Sequence, residues 1–500
     1  LGQKWAPAKV LALSSVAQLL LSKKQVAVLL LAIGKPMSEL RKDSLSFIEA
    51  LGQSVANVSP TLTPALAVAV VAGIAGAASW LVYVIATIAL VIVSLNISKL
   101  AGRIPAAGSF FVYVSRSLGP SFGLLAGWAM LAAYIFTAMA LTIATSLFVK
   151  TFLGSIGLPS AIPNIPMYLV ISLLIWFFAS RDIRMSSRVG LTLEVISVLI
   201  IAGVVLVTLA HFSFKPDTAQ LTLQGASFGG IAQAIVFAIF SFVGFESAAS
   251  LGKETKNPKV VIPRAIIATA IFSGTFFIIT TYVITQGFND NATNLGGSSA
   301  PLGDITNAIG KWMTPLVYFG ASISSFACAL ASLNAFSRML FSLGRYNFVH
   351  SSAGMVHEKH KTPFIALTSG AVLNFIVCAA LSGQTEVNTF GWYGTIASYG
   401  FIIVYFLISI SAPVFLKKTG ELKPLNILVG GLGAVLMFLS LVGSVYPVPS
   451  PVTVYNYLPY GFAAYMLIGF GWYCFLKARS PQVVTGIEHD LESMVMPMAK

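Results

Sequence analysis

Residues 56–64 read ANVSPTLTP, about midway along an otherwise apolar segment running from 47 to 73. Pro60 has no amide proton, so the carbonyl of Ala56 loses its helical donor, and Pro64 does the same to the carbonyl of Pro60. Thr63 followed by Pro64 reads as an N-cap and a first helical residue, so a new half-helix is expected to start there. In hydrocarbon, unpaired backbone groups are costly unless protein, water or a ligand satisfies them. A break at this depth is therefore a candidate binding site. A lone proline kink would carry no such meaning.

The hydrocarbon setting follows from composition. Of the 500 residues, 57% are hydrophobic and 9% charged, and the mean hydropathy is +0.86; a soluble domain does not tolerate this balance. A helix needs roughly 20 apolar residues to cross a ~30 Å core. On that measure the sequence predicts twelve spans, at 47–73, 77–98, 122–148, 166–180, 189–210, 228–251, 265–286, 312–343, 364–381, 393–416, 425–445 and 455–476. Continuous apolar runs fit helices and not a barrel, whose strands would alternate.

With the N-terminus inside, 26 of the 30 Lys and Arg residues fall in inner segments; Lys150, Lys215 and Lys311 fall outside, and Arg338 lies within a span. This asymmetry predicts cytoplasmic termini and an even helix number. The net charge of +14 is then loop charge beside anionic lipid, and nucleic acid is not an expected partner. Residues 1–43, basic and with only short apolar stretches, are read as a cytoplasmic, interfacial leader, and 479–500 as a cytoplasmic tail.

A second break is expected at Phe240–Ser247, FSFVGFES, in the sixth span. Gly244 permits a turn, and a carboxylate within a span, Glu246, is a functional candidate. Interrupted spans one and six, five helices apart, point to an inverted-repeat transporter with its site at the midplane. The amide end of one half-helix would face an anionic group and the carbonyl end of the other a cationic one, which suits a zwitterion or an amine.

Three ordered segments carry a resemblance to a known family. GRIPAAGSFFVYVSRSLGPSFGLLAGW at 102–128, FVGFESAASLGKETKNPKVVIPRAI at 242–266, and ASLNAFSRMLFSLGRYNFVH at 331–350 followed by KTPFIAL at 361–367 resemble the amino acid–polyamine–organocation (APC) permeases. The likeness covers about 44–478. It implies an all-α polytopic membrane protein of twelve helices in a 5+5 inverted repeat (the LeuT-like, or APC, fold), with helices one and six discontinuous. Repeat one would be 44–211 and repeat two 227–416, followed by two further helices at 424–477.

The resemblance also implies a site. The unwound part of span one, Asn57, Val58, Ser59, Pro60 and Thr61, would bind the substrate carboxylate, although the family's glycines are absent here. Phe240 would lie over the substrate, and the backbone of Ser241, Phe242, Val243 and Gly244 would bind its amine. Ser332 would approach from span eight. A cage of Phe240, Phe242 and Phe245 would suit a cationic headgroup. Proton-coupled relatives often place a lysine where this chain has Ser197. Without it, Glu246 and Glu194 are the expected proton carriers, while Ser197, Ser324 and Ser325 mark a possible sodium site.

Other features are expected to be ordinary. Cys328, Cys378 and Cys474 are read as packing, Arg338 as snorkelling to the inner interface, and Glu49 as pairing with a basic loop residue. No Cys/His cluster suggests a metal, no cofactor is implied, and no nucleotide loop or HExxH is present. The expectation is a secondary active transporter that moves amino acids or related amines across the cell membrane by alternating access, coupled to protons, and not an enzyme. The alternatives are a polyamine- or ethanolamine-type or ion-specific transporter on the same fold, sodium-coupled or an exchanger, and a channel.

Overall fold

The computed structural model describes residues 40–106, 108–446 and 453–479. The chain divides into two units, Leu1–Glu39 and Leu40–Lys500, of which the second contains all the described residues. The expected leader, apart from its last four residues, and all of the expected tail beyond Arg479 lie outside them. Within the described residues the structure is helical, with a single isolated β-bridge between Leu45 and Thr255.

In chain order the α-helices are α1 (Phe47–Val58), α2 (Val68–Ala75), α3 (Ser79–Ala101), α4 (Ser109–Leu118), α5 (Pro120–Ser155), α6 (Asn164–Ser180), α7 (Ile183–His211), α8 (Thr218–Leu221) and α9 (Phe228–Phe240). There follow α10 (Pro258–Gly287), α11 (Ala292–Gly297), α12 (Pro301–Ile309), α13 (Thr314–Arg345), α14 (Phe364–Ala380), α15 (Glu386–Lys418), α16 (Pro424–Gly443) and α17 (Leu458–Arg479). Among the described residues eight helical runs are long and apolar enough to cross a membrane, and α6, α9 and α14 are shorter apolar helices. One of the eight, Phe47–Ala101, has 55 residues. At 1.5 Å per residue it would extend about 80 Å, far beyond a ~30 Å core. It is interrupted twice, at Ser59–Thr61 and at the 3₁₀ turn Gly76–Ala78.

The core sits around α5, which packs along both α13 and α15. Small residues make this close. A Cβ on Gly400 of α15 would lie 2.6 Å from the Ala129 carbonyl, so only glycine allows the backbones to approach so nearly. Asn374 of α14 donates to Thr142 of α5 and Ser172 of α6, both at 3.0 Å, tying three helices through a buried amide. The outer faces are apolar: Leu199 and Leu467 are 67% and 69% exposed, as expected where lipid is the neighbour.

Several expectations need correction. Thr63 does not cap a helix. The chain re-enters helical geometry at Leu62 and widens into a π turn, Thr63–Ala67, in which the amide of Val68 takes the Thr63 carbonyl. Pro64 has no amide proton to give, so the hydrogen-bond register shifts by one residue. Arg338 does not snorkel. It is 1% exposed and forms a two-armed ion pair with the equally buried Glu254, at 2.6 and 3.0 Å. The rigid planar guanidinium suits this geometry. Cys328 and Cys378 are buried, but Cys474 is exposed, so packing within the protein does not account for it. Glu49 does find a basic partner, Arg188, at 2.9 Å.

Candidate functional site

The helix α1 begins with a reciprocal cap in which Glu49 accepts the Ser46 amide at 2.8 Å, and ends where Pro60 removes a donor. Ser59 takes up a left-handed conformation, φ 51°, which is uncommon for a residue with a side chain and reverses the chain locally. Its amide still reaches Val55 at 3.2 Å, and Leu62 bonds back to the Ser59 carbonyl at 3.0 Å. Asn57, Val58, Ser59, Pro60 and Thr61 are all buried.

The second break follows α9. From Ser241 to Glu246 the chain runs in successive turns and then enters a 3₁₀ segment, Ser247–Leu251. Gly244 has φ +96°, and a Cβ placed there would meet the Asn57 side-chain nitrogen at 2.5 Å and the Asn57 carbonyl at 2.7 Å. The two breaks therefore touch, Asn57 against Gly244. Asn57 is held in turn by Ser332 of α13, whose hydroxyl donates to its Oδ1 at 2.6 Å, while the Cys328 thiol donates to its carbonyl at 3.0 Å. Cys328 thus lies against the break as well as in the core. Two further bonds join the segments: Ser247 donates to the Gln53 carbonyl at 3.2 Å, and the Ala248 amide donates to Ser54 at 2.9 Å.

Two buried carboxylates accompany the breaks, Glu246 within the second and Glu194 against Thr61 of the first. Glu246 accepts from Tyr134 of α5 at 3.0 Å and from Tyr405 of α15 at 2.5 Å, so each of its oxygens has its own phenolic donor. Neither tyrosine stands out in the sequence. Each lies in an apolar run, YIF and VYF, where an aromatic reads as packing; only the need of a buried carboxylate for donors hints at them. Ser241 is similarly met by Tyr83 of α3 at 3.1 Å.

Glu194 of α7 accepts from Ser324 of α13, at 2.9 and 2.8 Å to its two oxygens, and Ser324 in turn contacts Ser59 at 2.7 Å. Thr61 approaches Glu194 at 3.5 Å and shares a hydroxyl contact with Ser197. Ser59, Thr61, Glu194, Ser197 and Ser324 are each 0% exposed. All the groups in this knot are oxygens, and among the described residues no basic side chain bonds to the carboxylate. Such a donor set is suited to a proton or a hard cation. Ser325 is turned away, bonding to Ala321 within its own helix at 2.6 Å.

The phenylalanines divide. Phe242 is fully buried against Phe277, with ring centres 5.0 Å apart, and Phe245 is buried against Tyr405 at 5.5 Å. Only Phe240, half-buried and edge-on to Phe390 at 6.3 Å, keeps free surface. The three do not form one cage around a common space. Val58 and Val243 are packed in apolar surroundings, 6% and 4% exposed.

Broken helices meeting inside a bundle of long apolar helices, with buried carboxylates beside them, fit a multi-pass membrane protein, and the family match makes it a transporter rather than an enzyme. The chain belongs to the amino acid permease family, whose model matches residues 50–481, within the APC superfamily. It is similar to the branched-chain amino acid permease BcaP of Bacillus subtilis, 24% identical over 68% of this chain and 74% of that protein. It is also similar to the low-affinity putrescine importer PlaP of Escherichia coli K12, 27% identical over 62% of this chain and 69% of that one. The methylthioribose transporter of B. subtilis is 25% identical over 70% of this chain and 76% of its own length.

Proposed function

We propose that the protein is a secondary active transporter that carries an amino acid or a related amine across the cell membrane by alternating access. The observation that carries this reading is the contact of Asn57 with Gly244, which brings two interrupted backbones, one rich in hydroxyls and one ending in carbonyls, to a common point. A ligand with both an anionic and a cationic end would be met by complementary groups there. Relatives named for branched-chain amino acids, putrescine and methylthioribose leave the substrate class broad. The missing glycines of the first break favour an amine with little dependence on an α-carboxylate.

The architecture we assign is twelve crossings, obtained by taking the 55-residue run as two and adding seven long and three short helices. They form repeats at 44–211 and 227–416 with two helices beyond, and the termini are cytoplasmic. In this reading Ser332 and Phe240 flank the substrate, and Glu246 and Glu194 handle protons, by symport or exchange.

Sodium coupling is the second reading, supported by the all-oxygen knot of Ser59, Thr61, Glu194, Ser197 and Ser324. Uptake by purified protein in sodium-free liposomes, across labelled amino acids and amines with and without an inward proton gradient, tests both. Accumulation that follows the gradient supports the proton reading. Accumulation only after sodium is added moves the coupling to the Glu194 knot, and passive flux without accumulation in either condition contradicts a coupled transporter.

A further inference from the structure

The N-terminal end of α7 borders a concave recess of about 520 Å³ that none of the transport chemistry uses. Its wall is one face of the helix, on which the charged residues interleave with apolar ones. Asp182, Arg184 and Arg188 lie at the helix end, and Met185, Val189 and Leu193 run along the same face at intervals of about one turn, with Thr192 beside Leu193. The apolar face continues outward past the recess through Ile196 and Leu199, 41% and 67% exposed.

The charge at this end is not balanced. Asp182 is paired with Arg41, and Glu49 with Arg188. Arg184 instead donates to the backbone carbonyl of Ser44, at 3.0 and 2.6 Å, so its bonds neutralise none of its charge. Arg188 bonds Glu49 through Nε and Nη2, yet its side chain remains 64% exposed. An arginine bonded to a carbonyl instead of a carboxylate, beside a second arginine that its ion pair leaves largely exposed, at the edge of a lipid-facing apolar stripe matches a ligand with an anionic head and a hydrocarbon tail.

We propose that this recess seats an anionic phospholipid of the inner leaflet, its phosphate against Arg184 and Arg188 and an acyl chain along Met185, Val189 and Leu193. Residues 1–39 of the chain are a poorer occupant, because they carry five lysines and a single carboxylate, Glu39, and would bring like charge to the arginines. The assignment of leaflet rests on the inward orientation proposed above. The test below reads lipid contact and not transport, so it stands apart from the substrate and coupling assignments.

The full-length protein carries Thr192→Cys as the attachment point for a bimane fluorophore, with Cys474→Ser removing the exposed native thiol. It is reconstituted in neutral phosphatidylcholine vesicles containing a small fraction of brominated phosphatidylglycerol or brominated phosphatidylcholine. The brominated phosphatidylglycerol is expected to quench the label more strongly at equal mole fraction, and Arg184→Gln or Arg188→Gln to reduce that preference by up to about fivefold each. Because Arg188 also holds Glu49, Met185→Glu serves as a second variant. It places a carboxylate in the recess without removing either arginine or its partner, and should abolish the preference. Equal quenching by the two lipids, strong or weak, would overturn the proposal; weak quenching by both would show a recess covered by protein. A preference unchanged in Met185→Glu, or reversed by millimolar inorganic phosphate, would also overturn it, the latter pointing to a soluble anion.

Discussion

Asn57 and Gly244 stand so close that a single methyl group on Gly244 would lie 2.5 Å from the Asn57 side-chain nitrogen. This contact joins two interrupted helices that are distant in the chain. Gly244→Ala would place a side chain at φ +96° as well as against Asn57. We expect a cost of about 1–3 kcal/mol from the backbone alone, with more from the clash. Initial uptake rates should fall at least tenfold while the protein remains monodisperse in detergent; unchanged uptake would show that the breaks need not touch.

Glu246 has a separate phenolic donor for each oxygen, Tyr134 and Tyr405. Removing one hydroxyl leaves one buried carboxylate oxygen without its partner, at a cost of about 1–3 kcal/mol. Tyr405→Phe and Tyr134→Phe should therefore move the pH profile of uptake, whereas Glu246→Gln should remove its dependence on a proton gradient. Profiles that superimpose on the wild type in all three variants would leave Glu246 a structural acid.

The ion pair of Arg338 and Glu254 is buried on both sides. Arg338→Met strands a carboxylate, and we expect a loss of about 3–5 kcal/mol of stability. The double variant Arg338→Met with Glu254→Leu should recover most of it, because an apolar pair needs no charge compensation. Thermal unfolding in detergent measures both, and a double variant no more stable than the single one would contradict the explanation.

Asp290, in the turn after α10, faces Asp217, and burial together with that neighbouring carboxylate pushes its pKa up from 3.8 to about 6. Around them Gln220 donates to Asp217 at 2.7 Å, Tyr282 meets the Asp217 amide, and Gln286 binds the Lys215 carbonyl. Since the folded state holds the Asp290 proton more tightly than the unfolded chain, its contribution to stability is present below about pH 4 and is lost as pH rises through about 6. The melting temperature should carry a downward component across that window. Asp290→Asn should remove it, and identical pH slopes for the two proteins would contradict the assignment.

The breaks were legible because proline and glycine act locally. Pro60 removes a hydrogen bond whatever surrounds it, and Gly244 announces a turn in a run of aromatics. The partners of the carboxylates were not legible. Tyr134 and Tyr405 come from two helices distant in the chain from the break that carries Glu246, and a tyrosine among Ile, Val and Phe gives no sign that its hydroxyl is needed. Arg338 was misread for the same reason, since its charge is answered by Glu254 from a segment 84 positions away. Thr63 failed as a cap because Pro64 shifts the hydrogen-bond register and widens the turn, a response of the backbone that residue preferences do not encode. The aromatic cage failed because Phe242 and Phe245 pack against Phe277 and Tyr405, contacts made only once distant helices meet.

The central claim is that the junction of the two breaks is the substrate site. It is tested most directly with Phe240→Cys, at the half-buried aromatic beside the junction, in a Cys474→Ser background. The rate of its modification by a small thiol reagent is measured in proteoliposomes with and without the amine or amino acid identified by uptake. The account predicts that saturating substrate slows modification severalfold while a non-transported analogue does not. A rate indifferent to substrate, in a variant that still binds it, would place the site elsewhere.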